Sequence, residues 1–288
     1  MKGIVLAGGT GSRLFPLTNA FSKQLLPVYD KPLVHYPIST LFAAGIRDVA
    51  IVTTPRDVEL FKTLLGDGKN YGARFEYFIQ PDPGGIPEAF LITEKFIAKK
   101  SVALVLGDNI FFGSGLGRQL QIYKDVDGAN IFGYEVKNPQ DYGVATLDLN
   151  GSVQSIEEKP VNPKSNLAVT GLYFYDDSVV ERTKNLKPSQ RGELEITDLN
   201  LSFLSDNKLN LTRLPRGTSW LDTGTFQGLH DAASFVRVLE ERQGTKIACL
   251  EEISWRNGWI SNSDLLKLAS DRSRINIAEY LISLLGDV

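Results

Sequence analysis

Residues 6–13 read Leu-Ala-Gly-Gly-Thr-Gly-Ser-Arg, directly after a short apolar run that begins almost at the N-terminus. Three glycines within four positions let a turn take backbone angles closed to other residues and present several N–H groups to one anion. Arg13 ends the turn, where its fork of donors suits a phosphate, and Lys23 follows ten residues later. A phosphate-binding turn directly after the first strand points to a nucleotide enzyme. Two familiar turns do not fit. Leu14 holds the third glycine position of a dinucleotide-binding GxGxxG, and, counted from Gly8, Arg13-Leu14 stand where a P-loop needs Gly-Lys. The plainer alternative is a glycine-rich turn without a ligand, against which Arg13 and Lys23 weigh.

A chain of 288 residues can bury one large α/β core or two smaller ones. A formal net charge of −3, with no long basic block, gives little support to nucleic-acid or membrane-surface partners. Cys249 is the sole cysteine, so no intrachain disulfide forms, which is compatible with a reducing compartment. His35 and His230 have no metal-type partner nearby in sequence, which argues against zinc, and His230 is expected on a helix surface. No apolar run approaches the ~20 residues of a membrane span, and no secretory h-region opens the chain. A cytoplasmic protein is expected.

Apolar patterning predicts strands at 4–7, 49–53, 75–79 and 102–106, alternating with helices at 33–44, 58–65 and 88–97. The continuous apolar run at 102–106 suits a central parallel strand covered on both faces. This alternation predicts a parallel, doubly wound sheet. Further on, strand-like segments at 131–136, 144–149, 153–156 and 169–175 are separated by turn signals such as Asn150-Gly151, so antiparallel pairing is expected there. Helical spacing returns at 194–204 and in the stripe Phe226, Leu229, Ala233, Val236, Leu239. Short helices, including 265–269 and 277–285, follow. The expected division is one large domain, 1–244, with a helical appendage, 245–288, that is not an independent domain.

In open α/β sheets ligands bind beyond the carboxyl ends of the parallel strands. Three segments therefore converge: the glycine turn with Arg13, Gln80 with the turn at 81–85, and Gly107-Asp108-Asn109. A carboxylate facing a phosphate site is repelled unless a divalent cation stands between them, and Mg²⁺ commonly uses one or two carboxylates plus substrate phosphates. Asp108 is the first candidate ligand and Asp222, in Trp-Leu-Asp-Thr-Gly, the second. The competing role for each is capping a turn or helix. Gln80 offers a donor and an acceptor that match thymine or uracil, although a surface glutamine at a strand end is the commoner case. In Glu157-Glu158-Lys159-Pro160, Lys159 suits a second phosphate and Glu158 sugar hydroxyls, against the ordinary outcome of a solvated turn.

The segments LAGGTGSRL, SKQLLPVYDKP, LVLGDN, IEEKP, VTGLYFYD, RGELEITD and WLDTGT together resemble the sugar-nucleotide pyrophosphorylases, and in particular their thymidylyltransferase branch. The resemblance covers nearly the whole chain. It implies a Rossmann-like nucleotidyltransferase core, with a mixed, largely parallel central sheet, that joins dTTP to glucose 1-phosphate. It also implies dTDP-glucose as product, Mg²⁺ as cofactor, a homotetramer, and a second, regulatory site for dTDP-rhamnose. Carried over by position, Leu6, Gly8, Gly9, Gly11, Ser12, Arg13, Lys23, Gln24, Gln80, Gly85 and Asp108 would surround the nucleotide. Gly143, Glu158, Lys159, Val169 and Arg191 would contact the sugar phosphate, and Asp108 and Asp222 would hold Mg²⁺. Arg13, Lys23, Asp108, Lys159 and Asp222 form the implied catalytic set.

Two positions depart from the branch. Gly85-Ile-Pro-Glu-Ala89 replaces the usual Gly-Leu-Ala-Gln-Ala, and an acidic Glu88 near the base is expected to loosen thymine preference. Ser114 stands where many members carry histidine in the regulatory region. The alternatives are a uridylyltransferase, a non-catalytic sugar-nucleotide-binding subunit and, more remotely, a dehydrogenase.

Overall fold

The computed structural model describes residues 1–9, 11–271 and 275–286; Thr10, within the glycine turn, lies outside the described residues. In chain order the strands are β1 (Lys2–Leu6), β2 (Pro27–Val28), β3 (Lys31–Pro32), β4 (Asp48–Thr53), β5 (Arg74–Ile79), β6 (Val102–Leu106), β7 (Asn109–Phe112), β8 (Ala129–Glu135), β9 (Gly143–Leu147), β10 (Val153–Glu158), β11 (Leu167–Tyr175), β12 (Leu209–Arg213) and β13 (Ser219–Asp222). The helices are α1 (His35–Ala43), α2 (Val58–Leu65), α3 (Glu88–Ile92), α4 (Glu94–Ile97), α5 (Leu116–Gln121), α6 (Val179–Lys184), α7 (Ile196–Ser205), α8 (Phe226–Gln243), α9 (Leu250–Arg256), α10 (Asn262–Ala269) and α11 (Ile275–Ser283).

The main sheet runs β10-β9-β11-β6-β1-β4-β5, with β8 beside β11 and β12 beside β8. Strands β6, β1, β4 and β5 pair in parallel, as their alternation with helices predicts. Antiparallel pairing begins where β11 meets β6 and continues through β8, β9 and β10. Strand β12 departs from the expected pattern by lying parallel to β8, and β7 with β13 forms a separate antiparallel ribbon. These short strands of mixed polarity carry too little period to stand out in the sequence. The helix expected at 88–97 is broken at Thr93, whose hydroxyl donates to the Ala89 carbonyl at 2.6 Å and competes with the helical ladder.

Side chains alternate across the sheet and split its core into two layers. Val5, Ile51, Val105 and Phe174 face α1, α2 and α5, whereas Ile4, Ala50, Leu104 and Tyr173 face α3, α4, α6 and α7. Helix α8 rests Ala232 and Val236 on Val28, Tyr36 and Ile110. The C-terminal helices gather Leu265, Leu268, Leu281 and Leu284 into a small core of their own. They fasten to the main body through Trp259, whose ring meets Phe42 edge-on at 5.1 Å, and through Asn257, which donates to the Phe42 carbonyl at 2.8 Å. The buried Glu240 carboxylate accepts from Lys31 at 3.2 Å, Lys246 at 2.6 Å and the Ile247 N–H at 2.9 Å, tying β3 to the end of α8.

Strand β1 lies where the order reverses, with β4 and β5 to one side and β6 to the other. The segments leaving β1 and β6 therefore diverge, and a crevice opens at their carboxyl ends.

Candidate active site

Two adjoining cavities occupy this crevice. One, of about 360 Å³, is lined by Leu6, Gly8, Gly9, Lys23, Gln24, Gln80, Gly85 and Glu193. The other, of about 260 Å³, is lined by Tyr142, Gly143, Glu158, Lys159, Val169, Thr197, Trp220 and Asp222. Arg13, Ile86, Leu106 and Asp108 border both.

In the glycine turn, Gly9 and Gly11 adopt positive φ of 106° and 59°. Gly8 and Gly9 reach the first cavity, but Gly11 and Ser12 line neither cavity. Gly11 packs instead on Thr18, whose hydroxyl donates to its carbonyl at 2.8 Å, so its part here is to hold the turn. Gln80 is only 7% exposed, which removes the surface-glutamine alternative. Gln24 lines the same cavity, and its Oε1 is buried without a partner, an acceptor left for a ligand's donor.

Lys23 is delivered by a short turn whose preceding residue, Ser22, is anchored on the buried carboxylate of Asp57. That carboxylate also accepts from Thr54 at 2.9 Å and from Arg56 at 3.1 and 3.0 Å. Burial pushes its pKa up, but the donors of Arg56, Ser22 and Thr54 hold it below the usual range. Asp57→Asn is expected to cost about 2 kcal/mol, because one buried donor loses its acceptor. The thermal midpoint should fall by roughly 4–8 °C. The nucleotide that the resemblance implies should bind more weakly as the Lys23 turn loosens, a rise in KM that steady-state kinetics would detect.

Asp108 leaves the end of β6 and meets the Lys23 ammonium, while Asn109 Nδ2 donates to its Oδ1 at 3.0 Å. Burial raises its pKa, but Lys23 and Asn109 outweigh this and hold it below the ordinary carboxylate range. Asp222 shifts upward: burial raises it and the Asp108 charge raises it further, against smaller opposing effects of Lys23, the Gly224 N–H and Arg13. Neither acid caps a helix, but Asp222 Oδ1 accepts from Gly224 N at 2.9 Å and so does cap the turn that leads into α8. The α8 cap is Thr225, whose Oγ1 accepts from Gly228 N at 3.0 Å. The Asp108 carbonyl accepts from Thr223 N at 3.1 Å and Thr223 Oγ1 at 2.8 Å, which joins the two acidic segments.

Two repelling carboxylates beside Arg13 and Lys23 fit a hard divalent cation that takes its other ligands from phosphates and water. Among the described residues no cluster of three or more His, Cys, Asp or Glu offers an all-protein cage. Two carboxylates supply part of such a cation's shell, and this donor set matches a cation shared with a substrate.

On the far side, Glu157 and Glu158 alternate across β10. Glu157 turns outward to Lys164 at 2.5 Å, whereas Glu158 accepts from Thr197 Oγ1 at 2.8 Å within the second cavity. Gly143 leaves this carboxylate room, since a Cβ there would lie 3.2 Å from Glu158 Oε2. Lys159 adopts φ of 43°, a left-handed conformation that L side chains rarely take and that is held here on the cavity wall. Its N–H donates to the Tyr142 carbonyl at 3.0 Å. Arg191 lines neither cavity. It is 58% exposed and grips both oxygens of Glu195 at 2.9 Å, a local pair close enough to the second cavity for Arg191 to feel the Glu158 charge and Glu195 the Lys159 charge.

Sequence reasoning gave no role to Asn109, Tyr142, Glu193, Thr197 or Trp220, although Asn109 stood in the convergent segment after β6 and Glu193, Thr197 and Trp220 lay within quoted motifs. Asn109 Oδ1 accepts from Trp220 Nε1 at 2.6 Å and from Gly171 N at 3.1 Å, so one amide ties the β6 end to β13 and to the register break in β11. The neighbours Asp108 and Leu221-Asp222 were the available signals for Asn109 and Trp220. For Glu193 and Thr197 the signal was the RGELEITD segment, whereas a lone Tyr142 gives none.

The chain matches the Nucleotidyl transferase family over residues 2–238. It is 53% identical, over 99% of both chains, to a glucose-1-phosphate thymidylyltransferase of Neisseria meningitidis. It is 52% identical, again over 99% of both, to one of Mycobacterium tuberculosis. Among solved structures, a Bacillus anthracis protein assigned as a glucose-1-phosphate thymidylyltransferase, crystallised with sucrose, superposes with a TM-score of 0.76 at 38% identity. That match covers 82% of this chain and 95% of the other. A UDP-glucose pyrophosphorylase in complex with UDP-glucose superposes with a TM-score of 0.73 at 25% identity, covering 82% and 98%. The chain belongs to the nucleotidyl transferase family and, within it, to the glucose-1-phosphate thymidylyltransferases.

Proposed function

We propose that this chain converts dTTP and α-D-glucose 1-phosphate to dTDP-glucose and pyrophosphate, with the nucleotide in the larger cavity and the sugar phosphate in the smaller. The carrying observation is the pair of cavities that meet at Arg13 and Asp108. A phosphate oxygen of the sugar attacks the α-phosphorus in line. The new P–O bond forms as the bond to the β-phosphate oxygen breaks, and pyrophosphate carries the electron pair away. The nucleophile is already an anion, so no strong general base is needed. The protein's work is to align two anions and stabilise the charge that builds between them. Arg13 and Lys23 face the triphosphate, Lys159 the attacking phosphate, and Glu158 the sugar hydroxyls. Mg²⁺, held by Asp108 and Asp222 when bound, supplies positive charge against the phosphate oxygens.

We extend this reading to a homotetramer with a separate regulatory site for dTDP-rhamnose, and to a cytoplasmic location. No helix among the described residues is long and apolar enough to cross a membrane.

A turnover matrix of nucleoside triphosphates against glucose 1-phosphate and an amino-sugar 1-phosphate tests the assignment, with pyrophosphate release as readout. One methyl group discriminates by only ~1–3 kcal/mol, so partial use of UTP is expected. Higher kcat/KM for UTP than for dTTP would make the chain a uridylyltransferase, and no turnover at all would make it a binding subunit. Lys159→Ala should raise the KM for glucose 1-phosphate by roughly tenfold or more through loss of a charged phosphate contact, with little change for dTTP. An equal rise for both substrates contradicts its role.

A further inference from the structure

The Gln80 amide forms part of the nucleotide cavity wall, and the way it faces decides what the wall can recognise. Its oxygen only accepts and its NH₂ only donates. Two acceptors fix the choice. Nε2 donates to the Gly85 carbonyl at 3.2 Å and to the Glu88 carboxylate at 2.6 Å, which uses both of its hydrogens. Flipping the amide would set Oε1 against two oxygens. Oε1 therefore stays on the Gly8 side, where a Cβ built on Gly8 would lie 3.2 Å away, and Gly8 lines the same cavity.

Glu88 itself sits behind Gln80, on the first turn of α3. Room for its carboxylate exists only because residue 84 has no side chain. A Cβ on Gly84 would lie 2.6 Å from Glu88 Oε1 and closer still to Oε2. That obstacle is the end of a flexible side chain, which would move aside rather than unfold the loop.

We propose that Glu88 is a positioning residue that locks the Gln80 amide with its oxygen toward the bound base. The cavity thereby selects a base that presents a ring N–H donor. This rests on the first cavity being the base pocket. Thymine and uracil carry an imide N–H at N3 and satisfy Oε1. Cytosine carries a lone pair there, which would face the amide oxygen without a hydrogen between them. The acidic residue thus strengthens selection for imide bases, opposite to the loosening expected from its charge alone.

The test compares dTTP, UTP and dCTP as substrates for the parent enzyme and for Glu88→Ala, Glu88→Gln, Gly84→Ala and Gln80→Ala. Glu88→Ala should raise the KM for dTTP and UTP alike by about tenfold and cut the dTTP:dCTP preference by about tenfold, as expected when one orienting charged hydrogen bond is lost. Its kcat and its KM for glucose 1-phosphate should stay within about twofold, because Glu88 touches neither the reacting atoms nor the second cavity. Glu88→Gln should restore most of the preference, since the new amide can still turn an oxygen to Gln80 Nε2. Gly84→Ala should reproduce Glu88→Ala by displacing the carboxylate, and it serves if Glu88→Ala does not fold. If Gln80→Ala abolishes the preference while Glu88→Ala and Gly84→Ala leave it intact, Gln80 is oriented without Glu88 and the proposal fails. An equal rise in KM for dTTP and sugar phosphate, with the preference unchanged, makes Glu88 merely structural and also overturns it. A preference untouched even in Gln80→Ala removes the base-pocket reading itself.

Discussion

Asp108→Asn should lower kcat by about 10²–10³-fold while leaving the protein folded, the usual effect of removing a preorganised charge from a transferring phosphoryl group. The substitution keeps shape and volume. The Asp108 backbone carbonyl still accepts from Thr223 N and Oγ1, so the β7–β13 ribbon stays attached to β6. What disappears is the anion that faces Lys23 and Asp222. Lys23 loses its partner and the proposed cation loses half of its protein ligands. Pyrophosphate release measured beside a thermal melt separates the two effects. Turnover within roughly threefold of the parent, about 0.7 kcal/mol in barrier, would take Asp108 out of the mechanism.

Gly85→Ala should damage both stability and nucleotide binding. Gly85 has φ of 97°, and a Cβ there would fall on the Leu194 carbonyl oxygen and 2.8 Å from the Leu194 N. Both obstacles are backbone, which cannot swing away. Leu194 N donates to the Gly84 carbonyl at 2.9 Å, and this pairing brings Glu193 to the cavity that Gly85 and Gln80 also line. The strained φ costs about 1–3 kcal/mol by itself, and forcing the two segments apart adds to that. The melting midpoint should fall by roughly 6–12 °C for a loss near 3 kcal/mol. The KM for dTTP should rise by about tenfold or more, because displaced binding groups no longer align the substrate. Gly151→Ala is the control: φ is 85° there, but a Cβ meets nothing within 4 Å, so strain acts without a clash and turnover should persist.

Much of the candidate site was legible because the sequence places chemistry next to periodicity. The glycine turn and Asp108 each follow a run of apolar residues, and the ends of parallel strands are where ligands bind. Glu158 and Lys159 were legible for a similar reason, at the end of β10. The pairing of Arg191 was not legible because a lone arginine's partner is invisible in one dimension; Glu195, four residues on, holds it locally. Gly11 and Ser12 share a motif with Gly8 and Gly9 but not a wall with them.

By itself, the sequence determined the parallel half of the sheet, the helices that cover it and the strand ends that carry Arg13, Gln80 and Asp108, because burial enforces a period of two or of 3.6 along the chain. Only the tertiary structure decided that Asp222 approaches Asp108, that Asn109 joins three strands, and that Glu88 reaches Gln80 through the space left at Gly84. Those pairings depend on polar side chains meeting across segments distant in the chain or folded tightly back on themselves. A polar contact leaves no periodic trace, since its partner is fixed by packing rather than by spacing.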